Sequence, residues 1–239
     1  EQLGAWASDA AVQQVEIRGA GDRALCAGAD IRALRTAVAE DGDWLGFFTT
    51  EYQLNAAIKH VAKPYIAHQS GIVMGGGLGV SAHGSRRLVD ATSRLAMPET
   101  IIGFTPDVGI AYYLARARSE LGTHVALTGD SFGAGDAIAL GLADEFVGEG
   151  TPSAPLADAS WIGECYLGND PIEIVGRLAA HADPAARAAA ETIAKRCPLS
   201  VAVTLEALRR AASMTVDEVL AQDLTLVKTL IPSADFAEG

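Results

Sequence analysis

Residues 63–109 read KPYIAHQSGIVMGGGLGVSAHGSRRLVDATSRLAMPETIIGFTPDVG. Tyr65 to Met74 is an apolar run, and it predicts one buried strand. It leads into three consecutive glycines, Gly75, Gly76 and Gly77, followed by a small-residue helical pattern from Leu78 to His83. Glycines where a strand passes into a helix let the backbone approach a ligand with N–H groups facing it. Two carboxylates come next, each after a proline: Glu99 in Met97-Pro98-Glu99-Thr100 and Asp107 in Thr105-Pro106-Asp107-Val108-Gly109. Alone, each fits a solvated loop acid or a helix cap. Their flanks are apolar, however, with Ala96 and Met97 before and Ile101, Ile102 and Phe104 between them. A carboxylate in such surroundings holds its proton more tightly and suits acid–base work. Backbone donors beside fixed carboxylates are the parts of a site that stabilises an oxyanion and moves protons.

Upstream, Val12 to Gly19 alternates apolar and polar residues as a half-buried strand does, and Gly19 to Asp22 turns the chain. The loop Cys26-Ala27-Gly28-Ala29-Asp30 then repeats the strand, small residues, helix arrangement of the glycine run. Two such loops could each offer one N–H to the same oxygen, which is what an oxyanion hole needs. The plainer reading is a tight turn in which Asp30 caps the helix that follows. Helices are predicted from about Ile31 to Glu40 and from Trp44 to Val61. Gly77-Leu78-Gly79-Val80-Ser81-Ala82 formally fits a dinucleotide fingerprint, a weak signal that close helix–strand packing explains as well. Gly79-Val80-Ser81-Ala82-His83 misses the nucleophile elbow of serine hydrolases.

Downstream, Arg87–Asp90 and Arg94–Met97 read as two short strands around a turn. Helices are expected over Asp107–Arg118, Leu121–Thr128 and Gly133–Leu140, with a strand over Leu142–Val147. Gly148 to Pro155 is rich in Gly, Pro and Ser, and everything after it reads as helix: Leu156–Tyr166, Pro171–Ala182, Pro184–Arg196, Pro198–Ala212 and Val216–Leu230. Thr215 and Glu218 form a capping box for the last. The chain therefore divides into an α/β layer core, residues 1–147, and a helical region, residues 148–239.

The chain has 239 residues, 49% of them hydrophobic, enough for a large core. A net charge of −12 argues against nucleic acid or an anionic membrane as partner. Cys26, Cys165 and Cys197 are too few and too far apart for a disulfide framework, which favours a reducing cytoplasm. The five histidines show no ligand spacing, so no metal site is expected. The sequence opens without Met, almost directly into the first strand, so a missing N-terminal piece is expected.

Taken together, these loops resemble the crotonase (enoyl-CoA hydratase/isomerase) superfamily, closest within it to the 3-hydroxyisobutyryl-CoA hydrolases. The resemblance rests on residues 19–34, Phe47 to Asn55, Lys63 to Ala67, Gly71 to Gly79, Met97 to Thr100 and Pro106 to Gly109, and continues through Cys197 to Ser200 and Asp235 to Gly239. It implies a ββα-spiral core followed by a C-terminal helical region, with an acyl-CoA substrate and no separate cofactor, coenzyme A being part of the substrate. It implies an oxyanion hole from the N–H groups of Ala27 and Gly76, Glu99 and Asp107 as catalytic carboxyls, and Glu51, Gly28, Ala29, Asp30 and Gly75 in substrate binding. Gly79 stands where ordinary hydratases carry a further catalytic Glu. The expected activity is therefore thioester hydrolysis, as in valine breakdown. The competing readings are an enoyl-CoA hydratase or isomerase using Glu99 alone, and a silent acyl-CoA-binding protein. Arg23, Arg32 and Lys63 are candidates for the CoA phosphates, and superfamily members often pack as trimers or dimers of trimers through their C-terminal helices, so homo-oligomers are compatible with the chain.

Overall fold

The computed structural model describes residues 1–239. A helix, α1 (Gln2–Ser8), precedes the first strand, so the expectation of direct entry into a strand is corrected. Next come β1 (Val15–Ile17), β2 (Ala24–Cys26), α2 (Ile31–Ala39) and α3 (Trp44–His60). Asp30 caps α2 by accepting the Ala33 N–H, and Asp43 caps α3 by accepting that of Gly46. On α3, Phe48, Tyr52, Asn55 and Ile58 are buried at helical spacing, one face turned to the core.

The run from Tyr65 to Met74 is not one strand. It splits into β3 (Tyr65–His68) and β4 (Ile72–Met74), which belong to different sheets. The polar corner His68-Gln69-Ser70-Gly71 makes the break. Gly71 has φ +64, and a Cβ there would lie 2.3 Å from the Arg23 carbonyl oxygen, so only glycine turns this corner. After α4 (Gly76–Gly79), β5 (Arg86–Val89) and β6 (Arg94–Ala96) again go to separate sheets instead of pairing around their turn. The expected helix over Leu78–His83 is displaced: it starts at Gly76 and ends at Gly79. Of Asp107–Arg118, only α5 (Ala111–Leu114) is α-helical, because the turn before it adopts left-handed backbone at Val108 and Gly109. There follow α6 (Leu121–Thr128), α7 (Ala134–Ala139) and β7 (Glu145–Phe146).

All pairings between these strands are parallel. Odd strands form one sheet in the order β1-β3-β5-β7, and even strands the other in the order β2-β4-β6. Registers include Val15 opposite Tyr65, Leu88 opposite Glu145, and Ile72 opposite both Ala24 and Arg94. The chain thus lays one strand in each sheet, adds helix, and advances, which is a ββα spiral.

The helical region contains α8 (Ser160–Cys165), α9 (Pro171–Ala180), α10 (Pro184–Ile193), α11 (Pro198–Ala211), α12 (Val216–Leu230) and α13 (Ala234–Glu238). The first is shorter than expected and the last was not expected. Pro171, Pro184 and Pro198 each open a helix, where a missing N–H costs nothing. Thr215 and Glu218 form the capping box of α12, and α12 packs along α3. One hydrophobic core runs through both regions, from Leu34, Phe48 and Leu78 to Leu208, Val219 and Phe236. No helix is long and apolar enough to cross a membrane.

Candidate active site

The carboxyl ends of β2, β4 and β6 lie side by side, and each runs into a loop that carries expected site residues. Ala27, Gly28 and Ala29 follow β2, Gly75 and Gly76 follow β4, and Glu99 follows β6 after Met97-Pro98. The first two loops touch: a Cβ on Gly28 would stand 3.4 Å from the Met74 carbonyl oxygen and 4.0 Å from Gly76 N. Gly76 is the first residue of α4, so its N–H has no intrahelical acceptor. Gly75 sits at φ +51, ψ −121, a conformation reserved for glycine.

The glycines also bring carboxyls onto this backbone. A Cβ on Gly76 would lie 2.6 Å from Glu51 Oε1, and one on Gly75 3.2 Å from Glu99 Oε1. Glu51 comes from α3, Glu99 from a single 3-10 turn (Glu99–Ile102), and Asp107 from the turn before α5. All three line one cavity of about 220 Å³ together with Ala27, Gly28, Ala29, Gly75 and Gly76. The remaining wall is apolar, with Leu34, Phe48, Phe104, Ile231 and Phe236 among its residues, the last two from the helical region.

Of the expected site residues, Asp30 alone lies outside this cavity: its side chain is exposed and caps α2. Among the phosphate candidates, Lys63 Nζ is tied to the carbonyls of Trp6 and Asp9. Arg23 and Arg32 are exposed.

The carboxyls are unusual in holding their protons. Burial raises Glu99 well above the ordinary range, and the charges of Asp107 and Glu51 add to it. Burial pushes Glu51 up to about 8, with Asp107 contributing. Burial pushes Asp107 up to about 7, against the Tyr52 hydroxyl, which donates to Asp107 Oδ2 at 2.6 Å and favours the carboxylate. Carboxyls sharing one low-dielectric pocket cannot all ionise near neutrality. Such a set has both a base to activate an attacking group and an acid to protonate a leaving one.

Gly79 does not line this cavity, and the space its side chain would need is filled. A Cβ there would be 2.9 Å from Asn55 Nδ2 and 2.9 Å from Val108 Cβ. Sequence reasoning missed Tyr52 and Asp223, which accepts the Gly109 N–H two residues beyond Asp107. Neither carries a local signal: Tyr52 is 55 residues from Asp107.

The family profile described as enoyl-CoA hydratase/isomerase matches residues 1–154 and 149–239. The mitochondrial 3-hydroxyisobutyryl-CoA hydrolases of Xenopus laevis and Homo sapiens are each 34% identical, over 276 and 275 aligned residues, covering 100% of this chain and 71% of theirs. A carnitinyl-CoA dehydratase from Mycobacterium thermoresistibile is 41% identical with a TM-score of 0.97, covering 99% of this chain and 78% of that one. An enoyl-CoA hydratase from Rhodobacter sphaeroides is 34% identical with a TM-score of 0.93, covering 99% and 77%. These names agree on CoA thioesters and differ on the reaction, which leaves the reaction to the chemistry of the site.

Proposed function

This chain belongs to the enoyl-CoA hydratase/isomerase family, whose members act on acyl-CoA, and we propose that within it the protein is an acyl-CoA thioester hydrolase. 3-Hydroxyisobutyryl-CoA is the substrate we favour. The carrying observation is the packing at Gly79. Hydration across a double bond wants a second acid on α4 beside Glu99, and at Gly79 there is no room for even a Cβ. The carboxyls that do join Glu99 in the cavity, Glu51 and Asp107, enter from α3 and from the loop before α5.

In this reading the thioester carbonyl points at the N–H groups of Ala27 and Gly76, which hold the oxyanion of the tetrahedral intermediate. Glu99, in its ionised form, either adds its carboxylate to the thioester carbon or takes a proton from the water that adds. The C–S bond then breaks, and the departing thiolate takes a proton from the Glu51 carboxylic acid; in the covalent route water then cleaves the acyl-Glu99 anhydride, which frees the acid product and restores the Glu99 carboxylate. A single turnover in ¹⁸O water tests the covalent route: label in Glu99 requires that water has cleaved an acyl-Glu99 anhydride at the Glu99 carbonyl. The apolar wall with Phe104, Ile231 and Phe236 suits a short branched acyl group, while Glu51 and Asp107 suit its hydroxyl.

The deciding experiment follows free thiol released from 3-hydroxyisobutyryl-CoA by wild type and Glu99→Gln, with crotonyl-CoA hydration in parallel. Hydrolysis predicts thiol release that drops by about 10²–10⁴-fold in the variant, the range general acid–base groups contribute. Hydration without thiol release would sink the hydrolase reading and favour the second one, a hydratase or isomerase using Glu99 alone, which the names of the two similar solved structures support.

A further inference from the structure

The turn that carries Asp107 follows an uncommon path. Val108 has φ +51 and Gly109 φ +76. A branched residue in the left-handed region is strained, and it persists only where its surroundings over-determine it. Here one peptide unit is gripped at both ends. The Val108 carbonyl oxygen lies 2.7 Å from His83 Nε2, and the Gly109 N–H donates to Asp223 Oδ2 at 2.8 Å. A carbonyl only accepts, so His83 carries its proton on Nε2, leaving Nδ1 to accept from the Tyr113 hydroxyl at 3.3 Å.

Both gripping side chains are buried, His83 at 2% and Asp223 at 1% exposure. Asp223 Oδ1 has no hydrogen-bond partner. Packing alone would favour an apolar residue on this face of α12, between Leu220 and Val227. A buried acid with a single hydrogen bond therefore needs another reason to be there. Its one bond falls on the turn of a residue that lines the cavity.

We propose that His83 and Asp223 are positioning residues for Asp107, clamping the Val108–Gly109 peptide so that the Asp107 carboxyl is held against Tyr52 and toward the cavity. Through Asp223 the helical region sets the geometry of a carboxyl in the α/β core. The proposal rests on the hydrolase reading only for its kinetic arm. The titratable groups facing the clamp are Asp107 in the loop, Glu51 and Tyr52 on α3, His83 and Asp223 themselves, and Tyr113 on α5, with Lys59 and Arg87 acting on His83.

The test compares Asp223→Asn, which keeps an acceptor for the Gly109 N–H, with Asp223→Leu, which keeps bulk and removes it. Three quantities are read: kcat against KM for thiol release, the pH–rate profile, and the titration of the Asp107 carboxyl by ¹³C NMR. Asp223→Leu should lose about 10²-fold in kcat, the cost of a misplacement near 1 Å. Its KM should change little and its Asp107 titration should move. Asp223→Asn should recover most of both, a rescue that a purely structural role would not require. If Asp223→Leu does not fold, His83→Phe attacks the same peptide from the other side and should displace the same titration. A folded variant with wild-type kcat and an unmoved Asp107 titration overturns the clamp, as does equal damage from Asn and Leu. Absence of thiol release in wild type would defeat the hydrolase reading instead, and the NMR titration would still decide the clamp.

Discussion

Tyr52 shows how one hydroxyl can set the working pH of a buried acid. Its hydrogen bond to Asp107 is the side-chain contact that favours the carboxylate against desolvation. Tyr52→Phe removes that donor and leaves the burial unchanged. The Asp107 pKa should rise above its present value of about 7. A limb of the kcat/KM profile that requires the Asp107 carboxylate should then move to higher pH, with the largest loss on the acidic side and recovery toward alkaline pH. A profile superimposable on wild type would mean that Asp107 does not titrate in the free enzyme. Gly79 makes the complementary point about space: Asn55 and Val108 fill the room a side chain would need.

Two helices, α3 and α12, carry the side chains that act behind the cavity. α3 presents Glu51 to the cavity and Tyr52 to Asp107 from adjacent positions. α12 supplies Asp223, and its first turn is held by the Thr215–Glu218 capping box. Thr215→Ala removes one half of that box at an exposed end, far from the cavity. It should cost about 1 kcal/mol, seen as a fall of roughly 2–4 °C in Tm by calorimetry. Turnover measured well below the transition should be unaffected, because the middle of α12 is held by its packing along α3. A loss of kcat without a change in Tm would show that the end of α12 reaches the site in a way the contacts do not reveal.

The buried carboxyls give the whole molecule an unusual pH dependence. Asp107 and Glu51 have folded values of about 7 and about 8, and Glu99 and Asp223 are also raised. A raised carboxyl keeps its proton in the fold after the unfolded chain has lost it. The native state then binds more protons, so stability falls as pH rises from the unfolded value to the folded one. The net charge of −12 pushes the same way through self-repulsion. Asp90, held low by Ser70, Thr92 and Ser93, and Asp144, held low by Arg87, act oppositely, but their contribution is lost only in acid, below their unfolded value; His83 and His124, pushed down to about 4 by burial, offset part of the decline up to about pH 6.5, where four raised carboxyls outweigh two histidines. Thermal stability should therefore be greatest near about pH 5 and decline toward about pH 8.5, and Glu51→Gln should flatten part of the decline. A Tm that climbs steadily over this interval would mean that the carboxyls ionise freely in the fold.

Much of this was legible from neighbouring residues alone. The spans of α2, α3, α6 and α12, the Asp30 and Thr215 caps, and the glycine loops at strand ends all depend on interactions within a few positions of the chain. The resemblance to a known family rested on the same short stretches. What only the folded chain decides is anything that requires distant segments to meet. The apolar run from Tyr65 to Met74 was divided between two sheets by a corner whose glycine is pressed against Arg23. Tyr52 found Asp107 across 55 residues, and Gly109 found Asp223 across 114. Propensity, capping and periodicity are short-range terms, so they identify elements. The partner of a buried polar group is chosen by how those elements pack, and so the protonation of the cavity is a property of the tertiary structure.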